Sequence, residues 1–475
     1  MRTVEEYREK LKSMRPNVYI GGELVRRDDA RLLLGQNIIG ITYDAARSEE
    51  LRNLVVTTSH LTGKEISRYT HVPQSVEDLL KKQEMTRTLC GLAGGCIQRC
   101  MANDTICAIS VVTKEMDEEL GTEYHERFLN FLRYYQENDL TGNAAQTDVK
   151  GDRSKRPHEQ EDPDLYLRVV EKRKDGIVVR GAKAHNTVAP YADELLVVPT
   201  RAMTKEEGDW AVSFAIPADA EGVTLICRVT SPRPRTRLKA PFNEFGMADS
   251  LTVFDDVFVP WERVFMCGEW QFAGRLALLF ANYHRFSYCG CKPAVTDVIM
   301  GAAALVADYN GVGNAPHIRD EISELMVTAE LVYGAGIAAA VTGRKTSSGT
   351  YEPNFIYSNA GRYYAGVNIY HEYDVLASIA GGLPATLPPE EDWYNETTRP
   401  YLEKYIMRKP GVSAEKQHRL FRFISDYSCS AWAGLWQYAG VHGGGSPIME
   451  KIGIRSQYDL DAKIRLVKHL AGIKD

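Results

Sequence analysis

The 475-residue chain has no excess of basic residues; 57 lysines and arginines against 63 acidic residues leave a formal charge of −6. A nucleic-acid partner needs a concentrated basic face, so none is expected, although a local basic pocket for a phosphorylated ligand stays compatible. No uninterrupted apolar run reaches the ~18 residues of a membrane span. The longest, at 276–281 and 334–341, read as buried helix, and no membrane association is expected. Residues 1–14 are charged and amphipathic, without the apolar stretch of a signal peptide, which makes the cytoplasm the expected location. Internal repeats and low-complexity tracts are also missing. Cysteine is sparse, nine in all, and in that compartment the nine are expected as reduced thiols or ligands, not disulfides. What is present is 44% hydrophobic residues and a mean hydropathy of −0.30, enough apolar material for a sizeable core. The length suggests two or three packed units.

Three stretches differ in character. Up to about residue 141 the pattern is helical, with candidate helices at 4–14, 76–101 and 117–137. From 142 to 265, β-branched runs alternate with turn signals. Strands are expected at 165–171, 177–180, 194–198, 210–216, 223–229 and 251–259, with a hairpin turn at Lys174-Asp175-Gly176. From 266 to 475 the chain is helical again, through 272–309, 318–342, 363–379 and 414–440. Helices, a compact β unit and a helical block make an α+β plan with segregated layers, divided at 1–141, 142–265 and 266–475. Gly334-Ala335-Gly336-Ile337-Ala338-Ala339 has the shape of a dinucleotide loop, but a helical run precedes it instead of a strand. Small residues where two helices pack closely are the better account.

Cys96 and Cys100 are four apart in a helical run, which aims both thiols the same way. His284 and Cys291 are seven apart, with Tyr288 between them on the same face, while Cys289 would point away. Gly290 and Pro293 put a continuous helix through Cys291 in question. Two elements offering two ligands each make a four-ligand set for an iron–sulfur cluster or zinc. Each pair alone is more often a buried pair than a site, so periodicity leaves the matter undecided.

Tyr283-His284-Arg285-Phe286-Ser287-Tyr288-Cys289-Gly290-Cys291-Lys292, with Cys96-Ile97-Gln98-Arg99-Cys100 upstream, resembles the 4-hydroxybutyryl-CoA dehydratases of the broader 4-hydroxyphenylacetate 3-hydroxylase flavoprotein family. The resemblance continues through Thr147-Asp148-Val149-Lys150-Gly151-Asp152-Arg153-Ser154 and Gly181-Ala182-Lys183-Ala184-His185-Asn186-Thr187. It extends to Phe254-Asp255-Asp256-Val257-Phe258-Val259-Pro260, Gly381-Gly382-Leu383-Pro384 and His442-Gly443-Gly444-Gly445-Ser446-Pro447. Several motifs in the right order are far more specific than any one of them.

The resemblance implies an acyl-CoA-dehydrogenase-like fold with a helical, a β and a second helical domain, assembled as a homotetramer. It implies FAD and a 4Fe–4S cluster, the latter on Cys96, Cys100, His284 and Cys291. FAD would be held by Thr147, Lys150, Gly151, Asp152, Arg153 and Ser154, by Ala184, His185, Asn186 and Thr187, and by Gly381 and Gly382, the last two reaching a neighbouring subunit's FAD. The implied reaction removes water from a 4-hydroxyacyl-CoA, 4-hydroxybutyryl-CoA giving crotonyl-CoA, with vinylacetyl-CoA Δ-isomerase activity and an anaerobic setting. An ordinary base cannot ionise the β C–H, so a flavin exchanging one electron is needed. The implied catalytic residues are His284 as ligand and base, Tyr288 at the substrate hydroxyl, Lys292 supporting the cluster charge or a carboxylate, and Asp249. Two departures stand out: the family carries a glutamate at the position of Asp249, and another at Gly440. They suggest a different proton-handling shell and, with it, another hydroxyacyl-CoA as substrate. The family's other large branch, flavin-dependent aromatic hydroxylation, is the alternative, and it has no use for four cluster ligands.

Overall fold

The computed structural model describes residues 1–230, 237–238 and 244–473. The first helix, α1 (Val4–Ser13), begins where Thr3 and Glu6 form a reciprocal capping box, and it buries Tyr7 and Leu11. The segment after it is not helical, as the sequence pattern suggested, but extended. Strands β1 (Val18–Ile20) and β2 (Glu23–Val25) join the main sheet, β1 running parallel to β8 (Val223–Val229) with Val18 opposite Leu225. Three-residue strands are too short to declare a period of two.

Helix α2 (Ala30–Ala45) follows, then α3 (Val76–Leu92), α4 (Cys100–Leu120) and α5 (Tyr124–Glu137). The helices expected over 76–101 and 117–137 are each broken. Gly94 and Gln98 take left-handed φ values of 63° and 64° between α3 and α4. Gly121, also left-handed, caps α4. Apolar periodicity carries across the second break because α4 and α5 face the same core, whereas α3 packs into a separate cluster with Cys291 and Ala294.

The β region forms two sheets. One has the order β2-β1-β8-β9-β5-β4, with β4 (Arg168–Lys172), β5 (Gly176–Thr187) and β9 (Ala248–Pro260). The other has the order β10-β7-β6-β3, from β3 (Gly142–Ala145), β6 (Glu194–Val197), β7 (Val212–Pro217) and β10 (Val264–Cys267). The hairpin between β4 and β5 falls on Lys174-Asp175-Gly176, where the Arg173 N–H donates to the Gly176 carbonyl at 2.8 Å. The Asp255-Asp256 pair is a bulge in β9, Asp256 at φ 50°.

Helix α6 (Trp270–Tyr309) is forty residues and ~60 Å long, and it continues through Gly290 and Pro293. Packing overrides the local preference: α3, α4, α7 (Pro316–Val341) and α8 (Phe355–Ala380) surround it. A Cβ at Gly361 would come within 2.7 Å of the Cys289 thiol, and one at Gly336 within 2.8 Å of its Cβ. Gly336 is therefore part of a close helix contact, while a Cβ at Gly334 would meet open space, and Cys289 faces away from Cys291. By length and mean hydropathy alone α6 and α7 could each cross a membrane, but the apolar stretch of α6 is 67% buried inside the bundle. The last helices are α9 (Ala414–Cys429), α10 (Ala431–His442), α11 (Pro447–Gln457) and α12 (Leu460–Ala471). Ser430 separates α9 from α10, accepting the Ala433 N–H on its hydroxyl, so 414–440 is two helices and not one. The result is a mixed, helix-rich fold.

Candidate functional site

The thiols meet where the turn between α3 and α4 presses on α6. Cys96 lies in that turn and not on a helix, so the shared helical face expected for Cys96 and Cys100 does not exist. Gln98 at positive φ, its N–H on the Cys96 sulfur at 3.3 Å, brings the chain round so that Cys100 opens α4. The Cys96 thiol lies against those of both Cys100 and Cys291. A fourth thiol, Cys90 on α3, lies beside Cys291 and accepts the Ile97 N–H at 3.4 Å. Nothing in the sequence pattern singled out Cys90. Contact with Cys96, then burial, pushes the Cys100 thiol well above its ordinary range, and contact with Cys90 raises Cys291 likewise. Crowded buried thiols of this kind surrender their protons to a metal, not to water.

His284 completes the group. Its Nδ1 lies 2.9 Å from Asp104 Oδ2, while Asp104 Oδ1 accepts from Lys82 Nζ at 2.6 Å and Ser287 Oγ at 2.8 Å. Facing an acceptor carboxylate, Nδ1 carries the hydrogen and Nε2 keeps the lone pair. Ligand atoms of Cys100, Asp104 and His284 all fall within 4.8 Å of one another. An imidazole held from behind by a carboxylate is the usual support of a metal ligand. The sequence signal for Asp104 was its place one helical turn after Cys100; Lys82 offered none.

Phe280 stacks on one face of the His284 ring, and Tyr288 meets it edge-on at 5.2 Å. The Arg362 guanidinium sits 4.5 Å from the Tyr288 ring centre. Burial raises the Tyr288 phenol above its ordinary range, against the pull of Arg362. Lys292 turns from the thiols to α8, where its ammonium pairs with the buried Glu372 at 2.6 Å. Thr296 donates to the same oxygen at 2.8 Å. A Cβ at Gly440 would overlap Ile369 Cδ1. Gly440→Glu should therefore destabilise the protein by about 1–3 kcal/mol through overpacking, with much of the loss recovered on adding Ile369→Ala. Denaturant unfolding of the single and double variants measures both.

The residues expected at FAD lie mainly along β5 and the loop before β4. Thr187 pairs with Asp249 across β5 and β9, its hydroxyl donating to Asp249 Oδ1 at 2.5 Å, while Arg228 pairs with the other oxygen. Asn143 donates to the Thr187 carbonyl at 2.7 Å and Asn186 to Thr252 at 2.8 Å. The carbonyl oxygens of both asparagine side chains are buried with no partner among the described residues, and such acceptors suit the N–H edge of a bound heterocycle. The Thr147 carbonyl accepts from the Ala184 N–H at 2.7 Å, which joins loop and strand. Lys150 and Gly151 have φ of 77° and 51°; Asp152 caps the backbone and hydroxyl of Ser154, and Arg153 is exposed, as is His185 at φ 61°. Gly381 ends α8 at φ 70°, and with Gly382 it is open to solvent.

Two family models match the chain, 4-hydroxyphenylacetate 3-hydroxylase N terminal over residues 3–266 and C terminal over 273–472. A relative in Clostridium aminobutyricum, 4-hydroxybutyryl-CoA dehydratase/vinylacetyl-CoA-Delta-isomerase, is 39% identical over 487 residues, spanning 99% of each chain. The solved structure of an oxygen-tolerant archaeal 4-hydroxybutyryl-CoA dehydratase from N. maritimus is 38% identical, with a TM-score of 0.95 over 100% of this chain and 95% of that one. Two others share the fold alone. HpaB, the oxygenase component of 4-hydroxyphenylacetate 3-monooxygenase, solved with FAD, is 24% identical with a TM-score of 0.90 over 99% and 98% of the two chains. Glutaryl-coenzyme A dehydrogenase is 14% identical with a TM-score of 0.50 over 94% and 88%.

Proposed function

The chain belongs to the 4-hydroxyphenylacetate 3-hydroxylase family, and from that membership we propose that it dehydrates 4-hydroxybutyryl-CoA to crotonyl-CoA and also acts as a vinylacetyl-CoA Δ-isomerase. FAD and a 4Fe–4S cluster belong to this reading, with Cys96, Cys100, Cys291 and His284 as the residues that would hold the cluster. The observation that carries it is the meeting of three neighbouring buried thiols, Cys96 between Cys100 and Cys291, with an imidazole whose Nδ1 is anchored to a buried carboxylate. A phenol hydroxylase has no use for that set. When bound, the flavin supplies one-electron exchange and the cluster a Lewis-acidic iron.

The chain's own residues supply the rest. His284 is held in the tautomer that leaves Nε2 free to bind iron or, once released, to take a substrate proton. Tyr288 directs its phenol hydrogen to the substrate hydroxyl; burial keeps that hydrogen in place. Asp249 takes the hydroxyl hydrogen of Thr187 and so leaves the threonine's lone pairs as acceptors for the flavin ring. With both carboxylate oxygens engaged, Asp249 serves to orient Thr187 more than to move protons. The ammonium of Lys292 offsets the Glu372 charge directly behind the thiols. Assembly into a homotetramer suits α12, which buries nothing within the subunit and leaves Leu466, Val467 and Leu470 exposed.

Anaerobic purification with iron, sulfide and flavin analysis tests the reading. About four irons per subunit with FAD is the expected result. It should be followed by turnover of 4-hydroxybutyryl-CoA above longer or substituted 4- and 5-hydroxyacyl-CoA esters. Iron-free protein that hydroxylates phenols would sink it. Gly443→Ala probes Tyr288 separately. The new Cβ would overlap the phenol oxygen, with the Ala439 carbonyl also only 2.9 Å away, so the ring must turn. Turnover should fall by ~10²-fold, the scale of a misplaced acid, at unchanged iron and FAD.

A further inference from the structure

We propose that the Asp104 carboxylate fixes the tautomer of His284 and that Lys82, by claiming one acceptor there, makes a carboxylate obligatory at that position, so that this buried pair is the positioning device for the labile ligand of the cluster. The inference rests on the reading of His284 as that ligand. Asp104 is fully buried, and Lys82 is only 3% exposed, so neither group exchanges its partner for water. The two oxygens of Asp104 have unlike surroundings. On Oδ1 stand two donors, the Lys82 ammonium and the Ser287 hydroxyl; on Oδ2 stands His284 Nδ1. Three helices meet there, α3 bringing Lys82, α4 Asp104, and α6 both Ser287 and His284.

An ammonium donates three hydrogens and accepts none, so the atom facing Lys82 must be an acceptor. While residue 104 is a carboxylate this costs nothing, because Oδ2 is an acceptor as well and Nδ1 keeps its hydrogen. Asparagine would break the symmetry. Its oxygen would be claimed by Lys82, its amide would turn to Nδ1, and the imidazole hydrogen would move to Nε2. A protonated Nε2 has no lone pair for iron. The same substitution beside a catalytic histidine is known to leave geometry intact and trap the wrong tautomer. The consequence for Lys82 is specific. Remove the ammonium, and the amide of asparagine can face Ser287, whose hydroxyl also accepts. Its oxygen then turns back to Nδ1.

The test uses full-length, anaerobically purified protein labelled with [15N]histidine, its cluster reduced with dithionite and read by pulsed EPR, with iron and FAD counted in parallel. Wild type should show one histidine nitrogen coupled to the cluster. Asp104→Asn should lose that coupling while keeping FAD and at least the three cysteine-bound irons. Lys82→Met/Asp104→Asn should regain it. Persistent coupling in Asp104→Asn overturns the proposal. So does a double variant that lacks the coupling or has lost all iron, since a purely structural pair is damaged further by the second substitution. Absence of coupling in wild type would instead remove the reading of His284 as a ligand.

Discussion

Cys291→Ala will lose its iron and its dehydratase activity together, turnover falling by more than ~10³-fold with FAD still bound. Even changes behind a metal ligand cost ~10–100-fold, and here the ligand itself is removed. The loss is not compensated locally. The Cys96 thiol, which lies against Cys291, would be left facing a methyl group in a buried site shared with Cys100. Cys90 is the informative control because it touches Cys291 yet stands outside the proposed ligand set. Cys90→Ala should therefore keep about four irons per subunit. If Cys291→Ala keeps its iron and Cys90→Ala loses it, the ligands have been misassigned by one thiol.

The second large effect concerns stability. Lys292→Met leaves Glu372 fully buried, with Thr296 its one remaining donor among the described residues and Oε1 without a partner. Breaking a buried pair in this way costs about 3–5 kcal/mol, far more than the pair contributes against an apolar replacement. Lys292→Met/Glu372→Leu should recover most of that loss. The denaturant midpoint of anaerobic protein, followed by fluorescence with iron assayed alongside, separates the alternatives. A double variant no more stable than Lys292→Met would show that the pair is held for more than its charge balance.

The candidate ligands were singled out by the motifs that surround them, since periodicity alone left the matter undecided and the helical face expected for Cys96 and Cys100 is absent. The β4–β5 hairpin was equally legible, since Lys174-Asp175-Gly176 dictates its own backbone. Cys96 was misplaced for a local reason. Apolar spacing ran unbroken through 76–101, and only Gly94 and the left-handed Gln98 end the helix there. Pro293 misled in the opposite direction, since it argued against a helix that the surrounding bundle enforces.

Sequence by itself determined the succession of helical, β-rich and helical stretches, the β4–β5 hairpin, and the family that the motifs mark. Those features depend on residues close together in the chain, or on patterns that repeat along one axis. Only the tertiary structure decided that Cys90 joins the thiols, that Asp104 and Lys82 stand behind His284, that Lys292 belongs to Glu372, and that Gly440 is packed against Ile369. Spacing says which way a side chain points from its own helix. What it meets there depends on how α3, α4, α6 and α8 pack, and a buried charge must find its partner across that contact because no water remains to take its place.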